Sequence, residues 1–275
     1  MMYETIEVSP VLNAKQLKSL RFQLLTADHG RLITTNTLIE CEGKVKALLL
    51  KDSLPESHFR PALKALGYMH FNPAKQSRRG AVLPGQTGGD LVLGWLNDGM
   101  FPDILRAGNR DNFHLCMRLC PLLRDMEDLM SAHLPNYFQF HMQQARRLVR
   151  PHKKLESLAQ MRDPFERKQL TRWNAGQDYY HFMGVSAFST LTLNRNLIFG
   201  AHMDGNNIKG TLGCLTAIGD YLGGELCFPR LGVRFDLRPG DLLIADTNEE
   251  YHGTCSSIVG DRYSIVAYLH GSLAP

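Results

Sequence analysis

Apolar positions recur along this chain at two spacings, and the change from one to the other divides it. Over residues 12–27 they fall three and four apart, the spacing of one helix face, behind Asn13 in the cap position. Residues 55–68 repeat that pattern, with Pro55 and Pro61 leaving the start of the helix open. From 101 to 149 the pattern is again helical, interrupted at Pro121 and Pro135. The longest apolar run, Lys46-Ala47-Leu48-Leu49-Leu50, lies within residues 45–50 and reads as a buried strand.

After about residue 184 the texture becomes short strands with turn punctuation. The pattern predicts strands over 186–193, 197–203, 211–219, 224–228, 233–237, 241–246 and 263–269. Gly210, Gly219-Asp220, Gly223-Gly224, Gly232, Pro239-Gly240 and Gly260-Asp261 separate them. Short, evenly spaced strands with no helices between them indicate a sandwich, jelly roll or barrel. Residues 1–183 offer few strands of their own, so the expectation is an α+β protein, a single catalytic domain over 1–275. In it 1–183 give a mainly helical layer and substrate loops, and 184–272 a β-core.

Composition narrows the class without choosing a function. The 275 residues are 44% hydrophobic and 21% charged, with 24 glycines and 13 prolines, which excludes collagen, low-complexity disorder and coiled coil. No apolar run approaches the roughly 20 residues of a membrane span, and the acid in Met1-Met2-Tyr3-Glu4 does not suit a secretion signal. None of the six cysteines forms a C-x-x-C pair. Cys116 and Cys120, at helical spacing, read as a buried helix face. The net charge of +4 is unevenly placed: residues 141–172 hold nine basic against three acidic side chains, whereas 173–275 hold six against ten. A basic patch beside an acidic core suits a metal-holding centre that serves an anionic partner.

The candidate chemistry stands in the β-rich part: His202-Met203-Asp204, then His252, then Arg262. Two histidines and a carboxylate leave three positions of an octahedral metal open, the facial triad of non-haem Fe(II) oxygenases. The i,i+2 spacing of His202 and Asp204 puts both on one face of a strand, and His252 must arrive from a neighbouring one. Arg262 and Ser264 alternate onto one side of a further strand. The planar guanidinium fork beside a hydroxyl fits the distal carboxylate of 2-oxoglutarate.

With these residues the sequence resembles the 2-oxoglutarate/Fe(II)-dependent dioxygenases, and among them the TET/JBP nucleic-acid-base oxygenases of compact microbial, fungal or phage type. The likeness covers about residues 184–271. It rests on His202-Met203-Asp204-Gly205-Asn206-Asn207, Gly223-Gly224-Glu225-Leu226-Cys227-Phe228-Pro229, Gly240-Asp241-Leu242-Leu243, His252-Gly253 and Arg262-Tyr263-Ser264-Ile265-Val266.

The resemblance implies a double-stranded β-helix (jelly-roll) core. It implies Fe(II) held by His202, Asp204 and His252, with 2-oxoglutarate as co-substrate held by Arg262 and Ser264, O2 as oxidant and ascorbate as a stimulant. It also implies a polar reader of the base at Asn207 and a second pocket group at His270. Tyr268 corresponds to an aromatic that shapes the pocket around a methyl group, and Thr192 to its hydroxyl partner. The expected reaction is oxidation of the 5-methyl group of a DNA pyrimidine, 5-methylcytosine to 5-hydroxymethylcytosine and onward to formyl and carboxyl products. Thymine hydroxylation is the alternative. Retention of Asp204 argues against a halogenase, which has a small residue there.

A target inside a barrel requires the base to be flipped out of the duplex, so phosphate contacts are expected. Arg78 and Arg79 in the glycine-rich loop 77–89, with Gln86, and Arg146, Arg147, Arg150, Lys153 and Lys154 in the basic run are the candidates, extended by Arg162, Arg167, Lys168 and Arg172. Rival readings are a prolyl-hydroxylase-like enzyme acting on protein or a small molecule, and a non-catalytic jelly-roll module. The expectations close with a monomer without obligate protein partner, in the nucleus of a eukaryote or the cytoplasm of a bacterium or phage-infected cell.

Overall fold

A computed structural model describes residues 2–73, 81–96, 104–105, 112–147 and 186–271. The N-terminal half supplies seven strands: β1 (Glu4–Val8), β2 (Arg31–Ile33), β3 (Thr37–Cys41), β4 (Lys44–Leu50), β5 (Asn72–Pro73), β6 (Gly89–Leu96) and β7 (Ile104–Leu105). The C-terminal part adds β8 (Thr190–Arg195), β9 (Gly213–Gly223), β10 (Leu226–Phe228), β11 (Val233–Phe235), β12 (Leu242–Ala245), β13 (Gly253–Thr254) and β14 (Ile258–Tyr268). The longer helices among the described residues are α1 (Ala14–Leu20), α2 (Glu56–Tyr68), α3 (Cys120–His133) and α4 (Pro135–Arg147), and a single helical turn at Phe113–Cys116 precedes α3.

The large sheet runs β1-β3-β4-β12-β9-β14-β8-β6-β5, with β7 on β6, and a small sheet runs β13-β10-β11-β2. The N-terminal half therefore does more than support the core helically. Its strands flank β12-β9-β14-β8 on both sides, and β2 pairs in parallel with β11. Of these, β1, β2, β3, β5 and β7 are two to five residues long and carry little alternation of their own, so their pattern in sequence is faint, whereas β4 is the strand its apolar run announced.

Two apolar layers hold the sheets. Leu48, Leu50, Leu191, Leu193, Ile244 and Ile265 pack with Leu66 of α2 and Leu122, Met126 and Met130 of α3. Ala47, Leu49, Ala217, Leu243 and Ala245 pack with Phe228 and Phe235 between the sheets. The alternation of Ala47/Leu49 against Leu48/Leu50 shows why an unbroken apolar run was needed: both faces of β4 are covered. Cys116 and Cys120 do not share one buried helix face: Cys116 ends a helical turn and is fully buried, with its thiol pushed up by burial to about 12, whereas Cys120 begins α3 and is half-buried. Among the described residues no helix is long and apolar enough to cross a membrane.

Helix ends explain the differences from the sequence pattern. Asn13 caps α1, accepting from Gln16 N at 3.0 Å while Gln16 Oε1 accepts from Asn13 N at 2.9 Å. The helix stops at Leu20 rather than running to 27, because the next residues turn to meet the metal-site segment: Arg21 bridges to Ala201, and Phe22 takes φ +62°. Pro55 is the N-cap of α2 and Pro61 lies inside it. Pro121 and Pro135 start α3 and α4 rather than merely interrupting a helix, since a first-turn proline has no intrahelical N–H bond to lose. Residues 104–105, expected to be helical, form β7.

Candidate active site

Residues 197–203 do not form the expected strand. Each pairs with a different segment: Phe199 with Val82, Ala201 with Arg21, and His202 with His252. No ladder develops, yet the two histidines are locked side by side by reciprocal backbone bonds of 2.9 and 2.8 Å, and their ring centroids lie 4.4 Å apart. Asp204 is held by its N–H donating to Thr247 O at 2.8 Å. Its two carboxylate oxygens stand 3.7 Å from His202 Nε2 and 3.7 Å from His252 Nε2. The candidate ligand atoms of the three residues all lie within 4.8 Å of one another.

The ring orientation suits a metal. His202 Nδ1 lies 2.9 Å from Gly200 O, and His252 Nδ1 lies 3.1 Å from Glu250 O. Carbonyl acceptors there assign the proton to Nδ1 in both rings, which leaves both Nε2 lone pairs facing Asp204. Phe228 backs His252 at 5.8 Å between ring centroids and Phe199 backs His202 at 5.7 Å, so apolar rings wall the site.

A cavity of about 360 Å³ runs from the triad to Arg262. Alternate residues from Arg262 through Ser264, Val266 and Tyr268 to His270 line it, as period two on one strand face requires. Arg262 is 8% exposed, and no carboxylate forms an ion pair with it among the described residues. Its Nε is buried without a partner, the ring of Tyr221 lies 5.5 Å from its Cζ, and burial pushes its pKa below the ordinary value. Gly224 permits this placement: it has φ +76°, and a Cβ there would stand 3.0 Å from Arg262 Cδ and Nε. A buried guanidinium with no carboxylate ion pair and an unpartnered Nε, at the end of a cavity that starts at two histidines and a carboxylate, fits the far carboxylate of a keto diacid whose other end reaches the metal.

Other expected residues are brought to the same cavity. Asn207 and His270 form a backbone bridge, and both line it. Thr192 Oγ1 and Tyr268 OH lie 3.2 Å apart. Ser264 Oγ accepts from Asn194 Nδ2 at 3.1 Å. Asn194, Phe22, Phe199 and Tyr221 were missed by reading the sequence. Of these, only the polar Asn194 closing an apolar strand left a trace there.

Ala81 and Leu83 of the glycine-rich loop bond to residues 200 and 198 beside His202, and Gln86 is half-buried. Arg146 is exposed on α4, and the backbone of Arg147 ends that helix. Arg78, Arg79, Arg150, Lys153, Lys154, Arg162, Arg167, Lys168 and Arg172 lie outside the described residues.

Fold and site together define a jelly-roll oxygenase with a two-histidine, one-carboxylate iron centre and a 2-oxoglutarate pocket. Comparison with known proteins sharpens this. The Tet_JBP family, described as the oxygenase domain of the 2OGFeDO superfamily, matches residues 110–271, more than half of the chain, and the chain belongs to that family. It is 27% identical over 267 residues to the bifunctional helicase and thymine dioxygenase JBP2 of Leishmania infantum, covering 93% of this chain and 21% of that protein. It is 37% identical over 98 residues to JBP2 of Leishmania tarentolae, covering 34% of this chain and 9% of that protein. The chain thus spans about a fifth of the length of the first of these curated relatives. Its fold matches a solved structure of NgTET1 in complex with 5mC DNA, with a TM-score of 0.57 and 14% identity, covering 96% of this chain and 93% of that one.

The chain accordingly carries an oxygenase domain of the Fe(II)/2-oxoglutarate-dependent dioxygenase superfamily, with a two-histidine, one-carboxylate cluster to hold a metal. His202, Asp204 and His252 would hold the iron, and Arg262 with Ser264 the co-substrate. Iron bound there supplies O2 activation coupled to oxidation of 2-oxoglutarate to succinate and CO2, which provides the oxidising equivalent for hydroxylating a C–H bond. The chain's own residues would orient both imidazoles through their Nδ1 protons and meet the far end of the diacid at Arg262, and Leu215, Leu237 and Val266 line the space between.

Proposed function

We propose that this oxygenase acts on the 5-methyl group of a pyrimidine base in DNA, with 5-methylcytosine as the leading substrate. The observation that carries the reading is the Asn207–His270 bridge. It sets a carboxamide and an imidazole in the wall of the metal cavity, next to the Tyr268–Thr192 hydroxyl pair. A pyrimidine edge presents donors and acceptors together, and a carboxamide answers both; Asn207 spends one N–H on Thr247 Oγ1 at 3.4 Å. In this reading Tyr268 bounds the methyl group, supported by its ring lying in the cavity wall, 6.2 Å from that of His270. A base can reach this cavity only out of the stack, at a cost of a few kcal/mol. Arg146 and the basic residues after it are suited to offset that cost through phosphate contacts.

Thymine is the second reading, favoured by the thymine dioxygenase activity of the JBP relatives. The test is mass spectrometry of nucleosides after incubation with Fe(II), 2-oxoglutarate, ascorbate and DNA containing both 5-methylcytosine and thymine. 5-Hydroxymethylcytosine supports the first reading and 5-hydroxymethyluracil the second. Unchanged nucleosides with succinate release overturn both and turn the search to proteins, RNA or metabolites.

A further inference from the structure

The apolar run that marks β4 begins with a lysine, and the fold uses it in an unusual way. Strands β3 and β4 pair Ile39 with Ala47 and then Glu40 with Val45, so Lys46 is the extra residue of a β-bulge. A bulge re-aims a side chain, and it breaks the alternation here: Val45 packs in the helical layer while Ala47 packs between the sheets. Lys46 is 4% exposed. Its Nζ reaches Asp246 Oδ2 at 2.8 Å and Glu250 Oε1 at 3.1 Å, with Glu249 Oε2 at 3.7 Å. Arg230, following β10, brings Nη1 to the same Glu250 oxygen at 2.7 Å while its Nη2 lies 2.6 Å from Glu42.

Both cations thereby grip one turn. Asp246 N donates to Lys46 O at 2.9 Å, Glu249 N to Asp246 Oδ1 at 3.0 Å, and Glu250 N to Asp246 O at 3.2 Å. That turn supplies two of the carbonyls that orient the metal site: Glu250 O accepts from His252 Nδ1, and Thr247 O accepts from Asp204 N.

We propose that Lys46 and Arg230 are positioning residues for the metal centre: by clamping Asp246 and Glu250 they fix the turn between β12 and β13, which sets the His252 ring and the Asp204 backbone. Packing alone would be served as well or better by apolar side chains, since a buried ion pair is often replaceable without loss of stability. A bulge that carries a lysine to two carboxylates beside a metal ligand serves orientation instead. The inference concerns the iron site and holds whichever base, or other substrate, the enzyme uses.

The test is titration of the full-length apoprotein with Co(II), followed by its visible absorption, in Lys46→Met, Lys46→Arg and Arg230→Gln. Outer partners of metal ligands typically change metal affinity about 10–100-fold. Lys46→Met is expected to weaken Co(II) binding about tenfold or more, and Lys46→Arg to recover most of it. 2-Oxoglutarate affinity at saturating Co(II) should stay within about twofold of the parent, because Arg262 is untouched. Arg230→Gln alters a partly exposed residue, which keeps the test decisive if Lys46→Met does not fold; it should weaken Co(II) several-fold. Unchanged Co(II) affinity in folded Lys46→Met, or in Arg230→Gln, overturns the proposal. So does a proportionate loss of Co(II) and 2-oxoglutarate binding, the mark of general destabilisation.

Discussion

Lys46 and Arg262 are both cations that the fold has withdrawn from water, at 4% and 8% exposure, and they differ in what meets them. Burial alone would lower the pKa of Lys46, but Asp246 and Glu250 hold it above the ordinary lysine value. Arg262 has no carboxylate of the protein as an ion pair among the described residues, and burial pushes its pKa down. A buried unpaired charge costs several kcal/mol. The fold can retain one only where something else repays it in the working state. The paired cation therefore fits the framework, and the one without an ion pair fits the proposed co-substrate site.

The largest effect comes from removing the centre that both cations serve. Asp204→Ala should abolish succinate release while leaving the circular dichroism spectrum intact, and full activity would sink the metal assignment. Next, Arg262→Ala should raise the 2-oxoglutarate requirement by about 100-fold or more, since it deletes a charge-assisted bidentate pair. An unchanged requirement would show that another group holds that carboxylate. The sharpest form of the contrast is thermal. Without 2-oxoglutarate, Arg262→Met should melt at or above the parent temperature, because it removes a buried charge that has no ion pair, whereas Lys46→Met should melt lower, because it leaves the buried Asp246 without its cation while Glu250 keeps Arg230. A lower melting temperature for Arg262→Met would erase the distinction.

Smaller effects follow at the cavity wall and behind the sheet. Asn207→Ala should lower oxidation of the base about tenfold while 2-oxoglutarate decay without base continues, and equal loss of both would count against base reading. His141 gives a third kind of buried group, one kept neutral. It is fully buried, edge-on to Phe188, and burial pushes its pKa down to about 4 from 6.5. Between those values the unfolded chain binds the proton and the folded one does not, so stability is lost as pH falls from about 6.5 to 4. Glu127, pushed up by burial, acts in the opposite sense. In His141→Leu the fall in melting temperature over that window should shrink by a few degrees. An unaltered slope would place the titration elsewhere.

Much of the site was legible because it rests on short-range periodicity. Arg262, Ser264, Tyr268 and His270 reach one cavity through alternation along a single stretch of chain, and His202 with Asp204 needs only a spacing of two. The strand expected beneath His202 was absent, yet the ligands still converge, because the backbone of His252 replaces the missing ladder. Tyr221 left no trace in the sequence and Asn194 only a faint one: nothing local says that β8 and β9 flank β14 and turn those side chains toward Arg262 and Ser264.

The sequence by itself determined the class of chemistry and the strand-rich character of residues 184–271, since each depends on residue type and on short periods along the chain. Only the tertiary structure decided that the N-terminal strands flank that core, that β4 pairs with β12, and that a bulge turns Lys46 onto Asp246, 200 residues away in the chain. Those pairings are chosen by which faces must be buried together and which charges must meet. Such requirements act between segments remote in sequence and leave no periodic trace in either one.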